Sequence, residues 1–113
     1  PVRRRARQRV ADGFTTLKLK VGTDALTDVE RVVAVRREVG EDVRLRLDAN
    51  QGWTRDEAVR AIRALDDAQV DVEFVEQPVA GEDVEGLAWV RRRVDTPVVA
   101  DEAVFTMTDL RRV

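Results

Sequence analysis

The chain has 113 residues, of which 43% are hydrophobic and 37% are charged, and its net charge is −2. These values suit one globular domain, exclude disorder driven by net charge, and give little support to a general nucleic-acid-binding role. The chain has no cysteine and no histidine, which excludes disulfides and zinc–thiolate sites and leaves oxygen ligands for any metal, as in sites for Mg²⁺, Mn²⁺ or Ca²⁺.

Strand and helix patterns alternate along the chain. The predicted strands are short apolar or alternating runs, at residues 14–21, 43–48, 72–76 and 97–100. The predicted helices have apolar residues three and four positions apart, and they cover residues 1–12, 25–39, 54–68, 84–94 and a last segment capped by Thr106 or Thr108. Repeated strand–helix units of this kind predict an α/β fold with a parallel sheet of about four strands.

Three of these helices have an apolar face that we expect to be buried. In the helix over 25–39 the apolar positions are Leu26, Val29, Val32, Val33 and Val35. The next helix opens with a capping box of Thr54 and Glu57, and its apolar face consists of Ala58, Ala61, Ile62 and Leu65. In the helix over 84–94 the expected buried residues are Leu87, Ala88, Trp89 and Val90. The arginine-rich first helix ends at Gly13 and suits a solvated face better than an anion-binding patch.

The two lysines of the chain, Lys18 and Lys20, alternate with leucines in the first predicted strand. Residues two apart in a strand point to the same face, so both ammonium groups are expected on one face of the sheet. All other basic residues are arginines, which keep their proton in proteins, whereas the pKa of a lysine can be tuned. By itself, this pattern is more often a pair of solvated lysines.

Four polar residues each stand at the C-terminal end of a predicted strand, where sites assemble in parallel α/β folds. They are Lys20, Asp48, Glu76 and Asp101, separated by 28, 28 and 25 positions. Three carboxylates brought together repel one another unless a cation binds them. Asp48, Glu76 and Asp101 are therefore the predicted ligands of Mg²⁺, with Mn²⁺ as an alternative. Any one of these acids alone would equally suit a helix cap or an ion pair, such as Asp48 with Arg46.

A metal beside lysines predicts removal of a proton from the carbon next to a carboxylate. A metal ion on that carboxylate stabilises the enediolate that forms when the proton leaves. Lys20, at the end of the strand, is the predicted base, which requires its pKa to fall from about 10.4 toward about 7–8. Lys18, one pleat deeper, would add positive charge and lower the pKa of Lys20.

Four sequence blocks resemble the enolase superfamily, and they are Lys18-Leu-Lys20, Leu47-Asp48-Ala49-Asn50-Gln51-Gly52-Trp53, Val75-Glu76-Gln77-Pro78 and Ala100-Asp101-Glu102. The likeness is greatest to the muconate-lactonising (mandelate racemase/muconate cycloisomerase) branch, and within it to dipeptide epimerases. The resemblance implies a partial TIM-type (β/α) barrel, in which residues 1–113 are a fragment of the catalytic domain that supplies its second to fifth strands. It also implies Mg²⁺ on the three acids, Lys20 as acid/base with Lys18 as its electrostatic partner, and Asn50 and Glu102 beside the metal ligands.

The implied activity is that of an epimerase or racemase, such as an L-Ala-D/L-Glu dipeptide epimerase, with muconate cycloisomerase or o-succinylbenzoate synthase activity as alternatives. The opposing lysine that the family carries on its sixth strand is absent from these residues. The alternative from another class is therefore a truncated, non-catalytic metal-binding fragment, which we expect to expose an apolar sheet face and to self-associate. A small flavodoxin-like domain fits the strand count but does not explain the paired lysines.

The expected partner is a small-molecule carboxylate, namely a dipeptide or a related acid. No stretch has the length of a membrane span or the pattern of a signal peptide. We therefore expect a cytoplasmic protein that does not bind a membrane. We further expect a homo-oligomer that does not bind nucleic acid.

Overall fold

A computed structural model describes residues 15–100 of the chain. The predicted helices at the two ends, and with them Asp101 and Glu102, lie outside the described residues. Within residues 15–100 four strands form one parallel sheet in the order of the chain, and they are β1 (Thr16–Lys20), β2 (Arg44–Asp48), β3 (Val72–Glu76) and β4 (Val98–Val99). The helices that connect them are α1 (Ala25–Val39), α2 (Arg55–Asp67) and α3 (Val84–Arg91). The predicted α/β fold is confirmed.

The elements differ from the prediction mainly at their ends. Strands β1 and β4 are shorter than predicted, and α3 ends at Arg91 rather than at Val94. The N–H of Arg93 donates to the Val90 carbonyl (2.9 Å), which is the three-residue bond that tightens the last turn of a helix. The chain then turns toward β4.

The hydrophobic core lies between the sheet and the three helices. The apolar residues of the strands supply one side of it, and Leu45, Leu47 and Val75 are completely buried. The predicted apolar face of α2 is buried throughout, and the capping box at Thr54 is present. At about 1.5–3 kcal/mol for each fully buried aliphatic side chain, this core fixes which face of every strand meets the helices.

Helix α1 departs from its predicted apolar face. Val32 and Val35 are buried as expected, whereas Leu26 is 70% exposed. The buried position in the first turn belongs instead to Asp28. In α3 only Gly86 and Val90 are buried, and the residues between them are partly covered.

Strand β3 contains an irregularity that decides on which face Glu76 lies. Val72 and Val75 are both buried, although residues three apart in a regular strand point to opposite faces. A register shift between β2 and β3 adds one residue to β3 at this point, as a β-bulge does. Both valines therefore reach the core, and Glu76 pairs with Asp48 on the other face of the sheet.

The sheet face away from the helices is charged within the described residues. The charged residues on it include Lys18, Lys20, Arg44, Arg46, Asp48 and Glu76, together with Glu73, which pairs with Arg46; Thr16 is polar and uncharged, and Phe74 and Val99 are apolar. The expectation of an exposed apolar face is therefore wrong for residues 15–100. The reason is the alternation of the strands, because burial of the leucines and valines against the helices leaves the charged residues for the open face.

A side chain in the last turn of α1 binds the backbone at the end of the sheet where the strands begin. The guanidinium of Arg36 donates to the carbonyls of Gly40 (2.8 Å), Val43 (2.6 Å) and Asp71 (2.7 Å). These carbonyls precede β2 and β3, so one side chain satisfies backbone groups from two connections.

Among residues 15–100, no helix has both the length and the apolar character that spanning a bilayer requires.

At the opposite edge, the β1–α1 and β2–α2 loops pack backbone against backbone. The N–H of Val21 donates to the Asp48 carbonyl (2.9 Å). A Cβ on Gly22 would lie 1.9 Å from the Ala49 oxygen, and a Cβ on Gly52 would lie 1.7 Å from the Gly22 oxygen. Only glycine therefore fits at both positions without a shift of the loops.

Replacing Gly22 by alanine should destabilise the protein more than the same change at Gly40. Both residues have a positive φ, 100° and 85°, so each alanine carries about 1–3 kcal/mol of backbone strain. Gly40 has open space around it, whereas the clash at Gly22 should add about 1–3 kcal/mol. The free energy of unfolding from urea titration checks this, and equal losses in the two variants would contradict the loop packing.

Candidate metal and proton-transfer site

Three of the predicted site residues form a row across neighbouring strands. Lys20 pairs with Asp48, and Asp48 pairs with Glu76. Neighbouring strands are about 4.8 Å apart, so the three side chains leave one edge of the sheet close together on the same face. The structure therefore brings together one predicted base and two predicted metal ligands, while the third ligand, Asp101, lies outside the described residues.

Lys18 lies one pleat deeper on the same face, as predicted. Its Nζ is 2.5 Å from Oε2 of Glu76, and the two side chains are 50% and 16% exposed. In the register, Lys18 is level with Arg46 on β2, so its side chain crosses β2 to reach an acid on β3. Its ion pair is thus with a predicted metal ligand, and the ammonium compensates charge inside the predicted site.

Asp48 is held by its own loop rather than by an arginine. Its Oδ1 accepts a hydrogen bond from the N–H of Asn50 (3.0 Å), the local bond by which aspartate stabilises a turn. Asn50 and Gln51 follow with positive φ values of 46° and 65°. Such conformations carry strain and cluster at functional sites. Arg46, the alternative partner considered for Asp48, pairs elsewhere.

Arg46 forms a two-pronged contact with Glu73. Its Nε and Nη2 donate to the two carboxylate oxygens at 2.9 and 3.3 Å, and its guanidinium lies 5.3 Å from the centre of the Phe74 ring. The hydrogen bonds lower the pKa of Glu73 and raise the pKa of Arg46. Because this pair is complete in itself, Arg46 leaves the carboxylate of Asp48 available.

The β2–α2 and β3–α3 loops are joined through Gln51. Its N–H donates to the Gln77 carbonyl (2.8 Å), and its side-chain oxygen accepts from the N–H of Gly81 (2.8 Å). Gln77 also has a positive φ of 43°, and its buried side chain donates to the Val79 carbonyl (2.9 Å). The loops after β2 and β3 are therefore positioned by each other.

Asp28 is a polar residue of this region that the sequence reasoning missed. It is 1% exposed, and it accepts hydrogen bonds from the β1–α1 loop and from the Trp53 indole of the β2–α2 loop. A signal was available, because Asp28, Val32 and Val35 have the spacing of one helix face. An acid at a core position of such a face indicates a buried polar contact.

The donor chemistry at the strand ends fits a hard divalent cation. Asp48 and Glu76 offer carboxylate oxygens from paired positions, which are the ligands that Mg²⁺ prefers. Within residues 15–100 no group of three or more acidic side chains is placed to hold a metal ion. The described residues thus supply two of the three predicted ligands. Asn50 lies beside Asp48, while Glu102 lies outside the described range.

Comparison with known proteins agrees with this arrangement. The family model described as "Enolase C-terminal domain-like" matches residues 1–113. This chain belongs to that family. The resemblance to the enolase superfamily, and to its dipeptide epimerases in particular, is thereby confirmed, and family members of known structure share the fold.

Relatives in this family include dipeptide epimerases and a synthase. The chain is 55% identical to L-Ala-D/L-Glu epimerase of Bacillus subtilis over 95 residues, which are 83% of this chain and 26% of that protein. It is 46% identical to o-succinylbenzoate synthase of Thermobifida fusca, covering 96% of this chain and 34% of that protein. The chain therefore spans only about a quarter to a third of the relatives it matches.

A solved structure of the same family has a bound metal. The dipeptide epimerase of Enterococcus faecalis, in complex with Mg and the dipeptide L-Leu-L-Tyr, superposes with a TM-score of 0.83 at 51% sequence identity. The match covers 88% of this chain and 28% of that protein. The prediction of Mg²⁺ agrees with the metal bound in that relative.

Replacing Arg46 by methionine should raise the pKa of Glu73 toward the ordinary value of a glutamate. The bonded carboxylate is favoured in the folded state, so the pair contributes to stability above the unfolded-state pKa, and this contribution is lost as the pH falls through the lower folded-state pKa. NMR titration of the side-chain carboxyl carbon is the measurement. Asp83, whose pKa is lowered by its hydrogen bond from Arg55, is the internal control and should not change. A Glu73 pKa that the replacement leaves in place would rule out Arg46 as the cause.

Proposed function

We propose that this chain is the metal-binding and proton-transfer part of a Mg²⁺-dependent epimerase that acts on the α-carbon of a dipeptide. The observation that carries the proposal is the row of Lys20, Asp48 and Glu76 across three paired strands. It occurs in a chain with 55% identity to an L-Ala-D/L-Glu epimerase. Residues 15–100 would then contain the second, third and fourth strands of a (β/α) barrel and the start of the fifth.

In this proposal Asp48 and Glu76, together with Asp101, hold the metal, and Asn50 and Glu102 lie beside these ligands. When bound, Mg²⁺ supplies positive charge that stabilises the anion formed when a proton leaves the carbon next to a carboxylate. Mn²⁺ has the same preference for oxygen ligands and is the alternative metal.

Lys20 is the proposed base that takes this proton, and in the reverse direction it is the acid that donates a proton to the same face of the carbon. It stands at the end of β1, directly across from Asp48, where its side chain is exposed and accessible to a substrate. Lys18 has a different role, because its ammonium contacts Glu76 and provides positive charge next to the metal ligands. A complete epimerisation needs a second base on the opposite side of the substrate, which we expect from another part of the barrel.

A second candidate activity is that of o-succinylbenzoate synthase, favoured by the 46% identity over 96% of the chain. The same base and ligands would serve there, since that reaction too requires proton removal beside a carboxylate. The cytoplasmic location, the homo-oligomeric state and the absence of nucleic-acid or membrane partners stay predictions.

Lys20→Arg should abolish exchange of the α-proton of L-Ala-L-Glu in D₂O while leaving Mg²⁺ affinity nearly unchanged. Arginine keeps the positive charge but does not release its proton. The matched change Lys18→Arg, on the same strand face, keeps a cation beside Glu76 and should retain measurable exchange. Exchange is followed by NMR and affinity by calorimetry. A folded, Mg²⁺-loaded wild-type sample that shows no exchange would favour the non-catalytic fragment, and loss of metal binding in Lys20→Arg would contradict the role of Lys20.

Asp48→Asn and Glu76→Gln should each weaken Mg²⁺ binding by about 100-fold or more, since even residues that only support metal ligands contribute about 10–100-fold. Glu73→Gln is the matched control, because Glu73 lies on the same strand but is paired with Arg46. Calorimetric titration with MgCl₂ distinguishes the variants. Equal affinities for Glu76→Gln and Glu73→Gln would remove Glu76 from the ligand set.

A further inference from the structure

The carboxylate of Asp28 lies where two loops meet, and these loops follow the strands that carry Lys20 and Asp48. The β1–α1 loop begins directly after Lys20, and the β2–α2 loop begins directly after Asp48. Asp28 belongs to neither loop, since it lies in the first turn of α1. Its side chain is 1% exposed, so hydrogen-bond donors of the protein, rather than water, must compensate its charge.

These donors come from both loops. Oδ2 accepts from the N–H of Gly22 (2.8 Å), from the N–H of Thr23 (3.0 Å) and from Nε1 of Trp53 (3.1 Å). Oδ1 accepts from the hydroxyl of Thr23 (3.3 Å). The guanidinium of Arg31 is 3.9 Å away and partly exposed, so it compensates the charge only weakly.

The position of these bonds links them to the site. Gly22 is two residues from Lys20, and the Gly22 backbone packs against Ala49, the residue after Asp48. Trp53 is buried at the end of the second loop, directly before the capping residue of α2. A shift of either loop would therefore move the end of its strand, together with the side chain that the strand end presents.

We propose that Asp28 is a positioning residue, whose buried carboxylate locks the β1–α1 loop to the β2–α2 loop and thereby holds the strand ends that carry Lys20 and Asp48 in position. Its effect on catalysis rests on the proposed function, because the roles of Lys20 and Asp48 are assigned there. The hydrogen bonds by which Asp28 locks the two loops together do not depend on those roles, since they lie within the chain.

Two substitutions separate the hydrogen bonds from the charge. In Asp28→Asn the amide oxygen takes the place of Oδ2 and accepts the same three bonds, and the amide nitrogen donates to the Thr23 hydroxyl. Asp28→Ala removes every one of these bonds. Asp24→Ala is the matched control, because Asp24 is an exposed acid four residues earlier whose side chain accepts a bond from the Thr27 hydroxyl within the same turn.

Hydrogen exchange tests the lock without substrate or metal. In Asp28→Ala the amides of Gly22 and Thr23 and the indole N–H of Trp53 should lose protection, while the amides of β2 and β3 keep theirs. General destabilisation would lower protection in the strands as well. Asp28→Asn and Asp24→Ala should retain the wild-type pattern. Unchanged protection of these three groups in Asp28→Ala would overturn the proposal.

The kinetic arm uses the Mg²⁺-loaded protein and L-Ala-L-Glu in D₂O. A misplacement of about 1 Å lowers rates about 100-fold, so kcat for exchange should fall by about that factor in Asp28→Ala with KM little changed. Asp28→Asn should recover most of the activity, and Asp24→Ala should match the wild type. A wild-type kcat in Asp28→Ala would refute the positioning role, and equal losses in the alanine and asparagine variants would refute the hydrogen-bond explanation.

Two further outcomes keep the test decisive. If Asp28→Ala does not fold, Trp53→Phe removes the indole bond to Asp28 together with part of a buried ring, and it should lower kcat by less than the roughly 100-fold of a 1 Å misplacement while Gly22 stays protected. A wild-type rate in that variant would count against the lock. If the wild-type protein itself shows no exchange, the proposed function fails, and the hydrogen-exchange arm alone decides whether Asp28 joins the loops.

Discussion

The register of the parallel strands is the constraint on which the rest of this structure depends. Burial of leucines and valines against three helices fixes one face of the sheet, and a slip by one residue would turn that face outward. With the register fixed, Lys20, Asp48 and Glu76 stand side by side on the open face. The site is therefore a consequence of how the core packs, because the groups that do chemistry occupy the alternate positions that the core does not use.

Helix α1 binds the backbone at both ends of the strands through two oppositely charged side chains, one in its first turn and one in its last. Arg36, in the last turn, satisfies carbonyl groups at the edge where the strands begin. Asp28, in the first turn, satisfies N–H groups at the edge where they end. Each charge also lies at the helix end whose partial charge it complements. One helix thus sets the geometry of loops on either side of β2, where Asp48 stands.

The ion pairs on the open face determine which charged side chains lie next to each other more than they stabilise the fold. The Arg46–Glu73 and Lys18–Glu76 pairs are partly exposed, and such pairs stabilise proteins by only about 0–1 kcal/mol. Their effect is to assign partners, since Arg46 is occupied by Glu73 and Lys18 is placed beside Glu76. Asp48 then receives its hydrogen bond from its own loop, so the two acids at the strand ends have different surroundings although they are neighbours.

The amino-acid sequence by itself determined the order of strands and helices, the shared face of Lys18 and Lys20, and the alignment of Lys20, Asp48 and Glu76. These follow from local periodicity and from the common phase of the strand ends, which a linear pattern records. The tertiary structure alone decided that β3 needs an extra residue to bury both Val72 and Val75, that Arg46 pairs with Glu73, and that Asp28 rather than Leu26 is buried in α1. Each of these depends on which groups from distant parts of the chain meet, and a buried carboxylate is stable only where donors from two separate loops surround it.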